Sequence, residues 1–466
     1  MSKRKTAVIL IHGIGEQRPM DTLWGFVEAA WVNDSALVHH TRNETWSKPE
    51  LLSGSFELRR VTTREAATGD RRRFDFFEYY WAHRMQGHTL GGLVRWTLGL
   101  FIRPSSAVPP DLRPVWALGL MLLALAVGVA LLAAVPEAAA WLGLPPWLLL
   151  AASVLSAAGA FFVNAMVLPH AGDAARYLSP EPDNVDVRQH IRAEGVALIE
   201  KLTASGAYDR IVLVGHSLGS VIAHDILNFA WTRLEGDRLA KVHAAEGMTM
   251  AALANVEQAA LNLEGASDAE VGALRSRYRD AQRSYAAALA NAEMPIWIVS
   301  DLVTLGSPLS KADILIGRNA EDLRKRISRR EIPICPPALE EARAYGRFSY
   351  PVASDVRRPH HGAVFAPVVW TNLYYSHAFI LFGDIISGPV RHLFGRGVLD
   401  VRLPIGSPPG FRHLDYWRGS ENDPVPAAIL ALRNALNLSG VQRDAALWAE
   451  QADAAEINAN DLTREN

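Results

Sequence analysis

Residues 210–221, Arg-Ile-Val-Leu-Val-Gly-His-Ser-Leu-Gly-Ser-Val, hold a serine whose surroundings predict a nucleophile. The β-branched run Ile211–Val214 reads as a buried strand, and an apolar pattern at helix spacing follows Gly219. Between them Gly215-His216-Ser217-Leu218-Gly219 has the form of a tight strand-to-helix turn that presents a serine hydroxyl at its tip. Gly215 and Gly219 are needed because a side chain there would collide where strand and helix nearly touch. A hydroxyl presented this way can attack a carbonyl carbon once a base takes its proton. A second motif supplies what such an attack needs next. Residues 6–11 (Thr-Ala-Val-Ile-Leu-Ile) read as a buried strand running into His12-Gly13-Ile14-Gly15-Glu16-Gln17. An H-G-x-G loop after a parallel strand provides one backbone N–H for an oxyanion, and the residue after the serine provides the other. The expected donors are the amides of Ile14 and Leu218, with Gly13 and Gly15 as the loop's motif glycines. His12 reads as a brace for its own loop, not as the base.

With these two motifs the chain resembles the α/β-hydrolase superfamily, in its lipase- and esterase-like members. The strand Leu302-Val303-Thr304-Leu305-Gly306-Ser307-Pro308 is similar to the one that follows the elbow helix there, and Trp370-Thr371-Asn372 to a W-x-N stretch before the acid. The resemblance implies the chain order oxyanion loop, serine, acid, histidine. It points to Asp384, in Gly383-Asp384-Ile385, as the acid and to His413, after the last strand, as the base. His377 is the rival base; Asp400 and Asp415 are the rival acids. His360-His361 reads as a solvated turn. Ser217, His413 and Asp384 would then work as a triad through an acyl-enzyme. No cofactor is expected, and no His/Cys spacing suggests a metal.

The elements that must position these residues follow from the same reading. The fold class expected is α/β, with a mostly parallel central sheet flanked by helices. Residues 1–103, 171–242 and 293–422 would form the core, carrying respectively the oxyanion loop, the nucleophile turn, and the acid and base. Within the first of these, Phe56–Thr63 and Phe74–Trp81 read as strands, and Leu90, Leu93, Val94, Leu98 and Phe101 recur at helix spacing. Residues 243–292 read as an inserted helical hairpin, with apolar stripes at Met250, Leu253, Val256, Ala260, Leu263 and at Val271, Leu274, Tyr278, Ala281, Tyr285. Ser267 and Glu270 have capping-box spacing between the two. This hairpin is read as a lid or, over 246–291, as a homo-oligomer arm. Residues 423–466 read as C-terminal helices and a tail.

The insertion 104–170 carries the second strong pattern. Pro114–Val135 and Trp147–Leu168 are each 22 residues without a charge, enough to reach about 33 Å as helix, the thickness of a bilayer core. Arginines flank the pair: Arg95, Arg103 and Arg113 before, Arg176, Arg188 and Arg192 after. The expectation is a transmembrane helical hairpin, an integral membrane protein in the cell membrane, and a catalytic part facing the cytoplasm. The bilayer would be a partner, and the substrate a lipid-like acyl ester. A soluble ester or thioester, or a non-catalytic membrane scaffold, are the competing readings. The formal charge of −2, from 47 basic and 49 acidic residues, gives no basic surplus for nucleic acid. A single cysteine, Cys335, excludes an internal disulfide.

Overall fold

The computed structural model describes residues 5–14, 18–37, 44–52, 57–66, 71–85, 98–99, 102–109, 112–134, 145, 147, 151, 154, 168–179, 182–234, 237–293, 295–339, 346–377, 382–406 and 410–440. They form two compact units. One comprises Met1–Gly13, Gln17–Trp81 and Gln189–Asn466, the other Ile14–Glu16 and Ala82–Arg188.

The first unit is built on an eight-stranded sheet. In chain order its strands are β1 (Lys5–Ile11), β2 (Thr45–Pro49), β3 (Arg59–Thr63), β4 (Arg73–Tyr79), β5 (Arg210–His216), β6 (Val299–Leu305), β9 (Val369–Tyr375) and β10 (Leu399–Leu403). A separate short ribbon holds β7 (Ser349–Pro351) and β8 (Arg357–Pro359). The order across the large sheet is β10-β9-β6-β5-β1-β4-β3-β2. The six strands from β10 to β4 run parallel, and β3 and β2 add an antiparallel edge. Parallel strands covered on both faces must be apolar nearly throughout, and Ala7–Ile11, Ile211–Val214 and Leu302–Leu305 are buried accordingly. This is an α/β architecture. In it ligands gather beyond the carboxyl ends of the strands, where the connections diverge to either side. Here β1 is that divide, with β4 on one flank and β5 on the other.

Helix α1 (Asp21–Val27) continues through a π-helical turn, Glu28–Val32, and buries Leu23, Phe26 and Trp31 in a core cluster with Val8, Leu10, Val212, Val214 and Val303. The second unit, taken by itself, contains the helices α2 (Arg113–Ala134) and α3 (Leu168–Leu178). Helix α4 (Val185–Ala204) begins in that unit and continues into the first. Helix α5 (Leu218–Leu234) starts directly after Ser217 and packs on β5 and β6. After α6 (Asp237–Ala245) comes the expected helical pair, α7 (Gly247–Glu264) and α8 (Val271–Ala290), packed along each other. Near the end of the described chain α9 (Ala427–Leu436) closes the cluster on the α1 face.

The helical pair is seated at the start of β9, away from the strand ends that carry Ser217. Arg279 donates to the Trp370 carbonyl at 2.8 Å and to Thr371 Oγ1 at 2.8 Å. Gln282 donates to the carbonyls of Phe365 and Val368, and Tyr278 to that of Phe365. Ser267 Oγ donates to the Glu270 carboxylate at 2.5 Å instead of accepting from a helix N–H, and α8 begins at Val271, three residues beyond the start the capping-box spacing implies.

The expectation of a transmembrane hairpin is corrected. A crossing needs about 20 consecutive apolar residues in one helix. The side chains of α2 are described only in part, and segment 147–168 falls almost wholly outside the described residues. Among the described residues no helix is long and apolar enough to cross a membrane. The integral-membrane localisation, its cytoplasm-facing orientation and the membrane and lipid-metabolism readings fall with the hairpin. The helix spacing expected over 90–101 also lies mostly outside the described residues, as does Gly15.

Candidate active site

Strand β5 ends at His216 and α5 begins at Leu218, so Ser217 alone makes the turn. It does so at φ +51°, a left-handed conformation that costs a non-glycine residue of order 1 kcal/mol or more. The surroundings hold it there. Ser217 N–H donates to the Leu305 carbonyl at 2.9 Å, and its own carbonyl accepts from Ser220 N–H at 2.9 Å and Ser220 Oγ at 2.6 Å. The helix start is pressed against the end of β1: a Cβ on Gly219 would lie 2.2 Å from the Ile11 carbonyl oxygen and 2.4 Å from that of His12. A Cβ on Gly215 would lie 2.5 Å from Ser220 Cα, and one on Gly13 2.9 Å from Ser217 Cβ. Backbone cannot yield to such contacts.

Three side chains from distant parts of the chain meet at this turn. His413 Nε2 lies 2.9 Å from Ser217 Oγ, and His413 Nδ1 lies 2.9 Å from Asp384 Oδ2. A carboxylate can only accept, so Nδ1 carries the proton and Nε2 offers its lone pair to the serine hydroxyl. Asp384 is fully buried. Besides His413, its Oδ2 accepts from Tyr416 Oη at 2.9 Å, and its Oδ1 from the amides of Ile386 at 3.0 Å and Ser387 at 3.3 Å. Burial works against its charge, yet the hydrogen bonds from His413, Tyr416 and Ser387 and the adjacent imidazole outweigh it. They hold the carboxyl below the usual carboxylate range.

The loops that carry Asp384 and His413 are fastened to each other and to the sheet. Gly383 and Phe411 form an isolated parallel bridge, with Gly383 N–H donating to Gly410 and Arg412 N–H to Gly383, both at 2.8 Å. Gly306, at φ +61°, leaves the space in which the pair sits; a Cβ there would lie 2.8 Å from Tyr416 Cε2, 3.1 Å from Asp384 Oδ2 and 3.2 Å from His413 Nδ1. His216 completes the support. Its Nε2–H donates to the His413 carbonyl at 2.9 Å, and its ring packs edge-on to Trp417. Burial, followed by the nearby His413, pushes His216 down to about 3, so it stays neutral and acts as a strut.

The rival residues are placed elsewhere. Asp400 is buried and accepts from Asn372 Nδ2 at 2.7 Å and from the amides of Val390 and Arg391, both at 3.0 Å. It ties the segment after Asp384 to β9. Asp415 pairs with Arg412 at 3.1 Å. His377 is partly buried at the end of β9, and its Cα would lie 3.0 Å from a Cβ on Gly383. His360 is buried, not solvated: its Nε2 donates to the Ala338 carbonyl at 2.9 Å. His12 braces its loop as expected from sequence, with Nδ1 2.8 Å from the Gly13 carbonyl and its ring stacked on Trp81.

Of the two expected oxyanion donors, Leu218 opens α5, where first-turn amides have no partner within their own helix. Ile14 belongs to the second unit. Among the described residues no group of His, Cys, Asp and Glu could hold a metal ion. Sequence reasoning missed Tyr416, Gly306 and the strut role of His216. Tyr416 follows His413 by three residues and Gly306 closes a strand, but neither placement names its partner. No family model, curated protein or solved structure matches this chain.

Proposed function

We propose that this protein is a serine hydrolase of the α/β-hydrolase type that cleaves carboxylic esters by way of an acyl-enzyme. One observation carries the reading: a strained serine, an imidazole and a buried carboxylate stand in series at 2.9 Å each. Ser217 Oγ attacks the ester carbonyl while its proton passes to His413 Nε2, and Asp384 holds the imidazole's tautomer and balances its charge. The Leu218 amide, at the positive end of α5, stabilises the oxyanion. The intermediate collapses, His413 returns the proton to the departing alkoxide, and the alcohol leaves. Water then repeats the sequence against the acyl-serine and releases the acid, so that ester and water become acid and alcohol. A lipid-like substrate leaned on the bilayer hairpin, and without that support the proposal stops at the carboxylic ester.

The test is covalent labelling with a fluorophosphonate probe, combined with turnover of a short p-nitrophenyl ester. The wild type labels and turns over, and Ser217→Ala does neither while keeping its melting temperature. Adding His413→Ala to Ser217→Ala costs nothing further, since the residues act as a unit. A wild type that never labels is a non-catalytic protein of this fold, and the proposal is then wrong.

A further inference from the structure

Cations crowd one face of the antiparallel edge of the sheet, at the end of β1 remote from Ser217. Trp46 and Lys48 stand two apart on β2 and point the same way. Across the strands Lys48 lies opposite Arg60, Trp46 opposite Thr62, and Thr62 opposite Asp75. Arg73 precedes Asp75 by two residues on β4, which sets it on the same face, with Lys5 beside it. Arg64, one residue past the end of β3, holds its guanidinium 5.8 Å from the centroid of the Trp46 ring. Lys48 with Arg60 and Lys5 with Arg73 are therefore like-charged neighbours, which repel across a sheet.

The acids nearby leave part of this charge unanswered. Buried Asp75 takes Arg60 at 3.5 Å and Lys5 at 4.0 Å, and accepts from Tyr208 Oη at 2.6 Å. Arg64 meets Glu44 at 2.5 Å, but both side chains are more than half exposed, where solvent leaves such a pair little worth. Arg73 Nε lies 3.6 Å from Glu65 Oε1, beyond hydrogen-bond reach, and is buried without an acceptor among the described residues. Lys48 pairs with no acid among the described residues. Lys48, Arg64 and Arg73 border a cavity of about 510 Å³ together with Trp46, Thr62 and Glu65. Its volume falls within the roughly 300–1,000 Å³ of small-molecule sites. Trp46 is 44 % exposed, so ring surface remains open to a ligand.

We infer that this cavity binds a small aromatic phosphate, with the ring against Trp46 and the phosphate oxygens among Lys48, Arg64 and Arg73. The three cations come from three neighbouring strands and so approach from different sides over roughly 10 Å. A flat carboxylate offers two oxygens in one plane; a phosphate monoester offers three that diverge, and its charge of about −1.5 to −2 at pH 7 answers more than one cation. Arginine and lysine bind it through short, charge-assisted hydrogen bonds. An inorganic ion would leave Trp46 without a partner. The Ser217 turn lies at the other end of β1, where Gly219 abuts Ile11, so about 20 Å of strand separate it from Lys5 and Arg73. The inference therefore goes beyond the hydrolase reading and does not depend on it.

The experiment titrates the full chain with phenyl phosphate in a calorimeter, with inorganic phosphate, benzoate and phenol as separate arms. Wild type is compared with Lys48→Ala, Arg73→Gln, Trp46→Leu and Ser217→Ala, each checked for its melting temperature. Expected is saturable binding of one phenyl phosphate, weakened roughly tenfold by Lys48→Ala or Arg73→Gln. Trp46→Leu should weaken it about fivefold through loss of ring contact, and Ser217→Ala should leave it unchanged. Inorganic phosphate and benzoate should bind roughly tenfold more weakly than phenyl phosphate, and phenol not at all. Absence of saturable phenyl phosphate binding overturns the site. Wild-type affinity in folded Lys48→Ala and Arg73→Gln overturns it as well, and so does loss of binding in Ser217→Ala, which would put the ligand at the serine. Equal affinity for inorganic phosphate, benzoate or phenol overturns the assignment of an aromatic phosphate.

Discussion

Asp384→Asn isolates the part of the site that geometry alone can argue. The carboxylate accepts four hydrogen bonds: His413 and Tyr416 on Oδ2, Ile386 and Ser387 amides on Oδ1. Asparagine has the same shape but only one accepting atom. If its oxygen stays with the two backbone amides, its NH2 faces His413 Nδ1 and becomes the donor. The imidazole proton must then move to Nε2, where it points at Ser217 Oγ and removes the lone pair that should take the serine proton. The opposite amide orientation sets NH2 against two N–H groups and leaves buried donors unpaired at about 1–3 kcal/mol each, so the first arrangement wins. A triad acid replaced this way costs roughly 10⁴ in kcat, about 5.5 kcal/mol at 1.36 kcal/mol per tenfold. The assay is steady-state turnover of a p-nitrophenyl ester, with the fluorophosphonate labelling rate as a second readout of the same hydroxyl. Asp415→Asn serves as control, since Asp415 pairs with Arg412 at a partly exposed position and its loss should change kcat by about twofold at most. A folded Asp384→Asn retaining more than about 1 % of wild-type kcat contradicts the tautomer argument. So does a greater loss from Asp415→Asn.

Gly306→Ala should abolish turnover although residue 306 has no side chain of its own, because its Cβ would enter the space of Tyr416, Asp384 and His413 and the left-handed φ adds about 1–2 kcal/mol of strain; a soluble, folded variant with wild-type kcat would refute this. The carboxyl of Glu78 supplies a pH signature of stability. Its folded-state value, about 7, lies above the ordinary value of 4.5, so the folded protein holds this proton more tightly than the unfolded chain does. The resulting stability is complete below about pH 4.5 and is lost as pH rises through about 7, by roughly 3 kcal/mol at 1.36 kcal/mol per unit. Urea unfolding of wild type and Glu78→Gln across that range should show the downward slope in wild type only, and equal slopes would refute it.

What the sequence determined by itself is local. The nucleophile turn spans five contiguous residues, and the need for glycine at 215 and 219 follows from steric collision alone. Buried parallel strands announce themselves as apolar runs, so β1, β4, β5, β6 and β9 were legible, as were the apolar stripes of α7 and α8. The edge strand β2 was not, since Thr45–Pro49 is largely exposed and carries no apolar run. The reading of 114–168 as a membrane pair rested on an absence of charge alone, and among the described residues no helix is long and apolar enough to cross a membrane. Asp384 and His413 were singled out by resemblance, and only in three dimensions do they lie at Ser217 while Asp400 and Asp415 pair elsewhere. Tyr416 and His216 were invisible for the same reason. A hydrogen bond between residues 32 or 197 positions apart depends on the path of the whole chain. Periodicity extends over a turn or two; the meeting of Ser217, His413 and Asp384 depends on where β5, β6 and β9 end in one sheet.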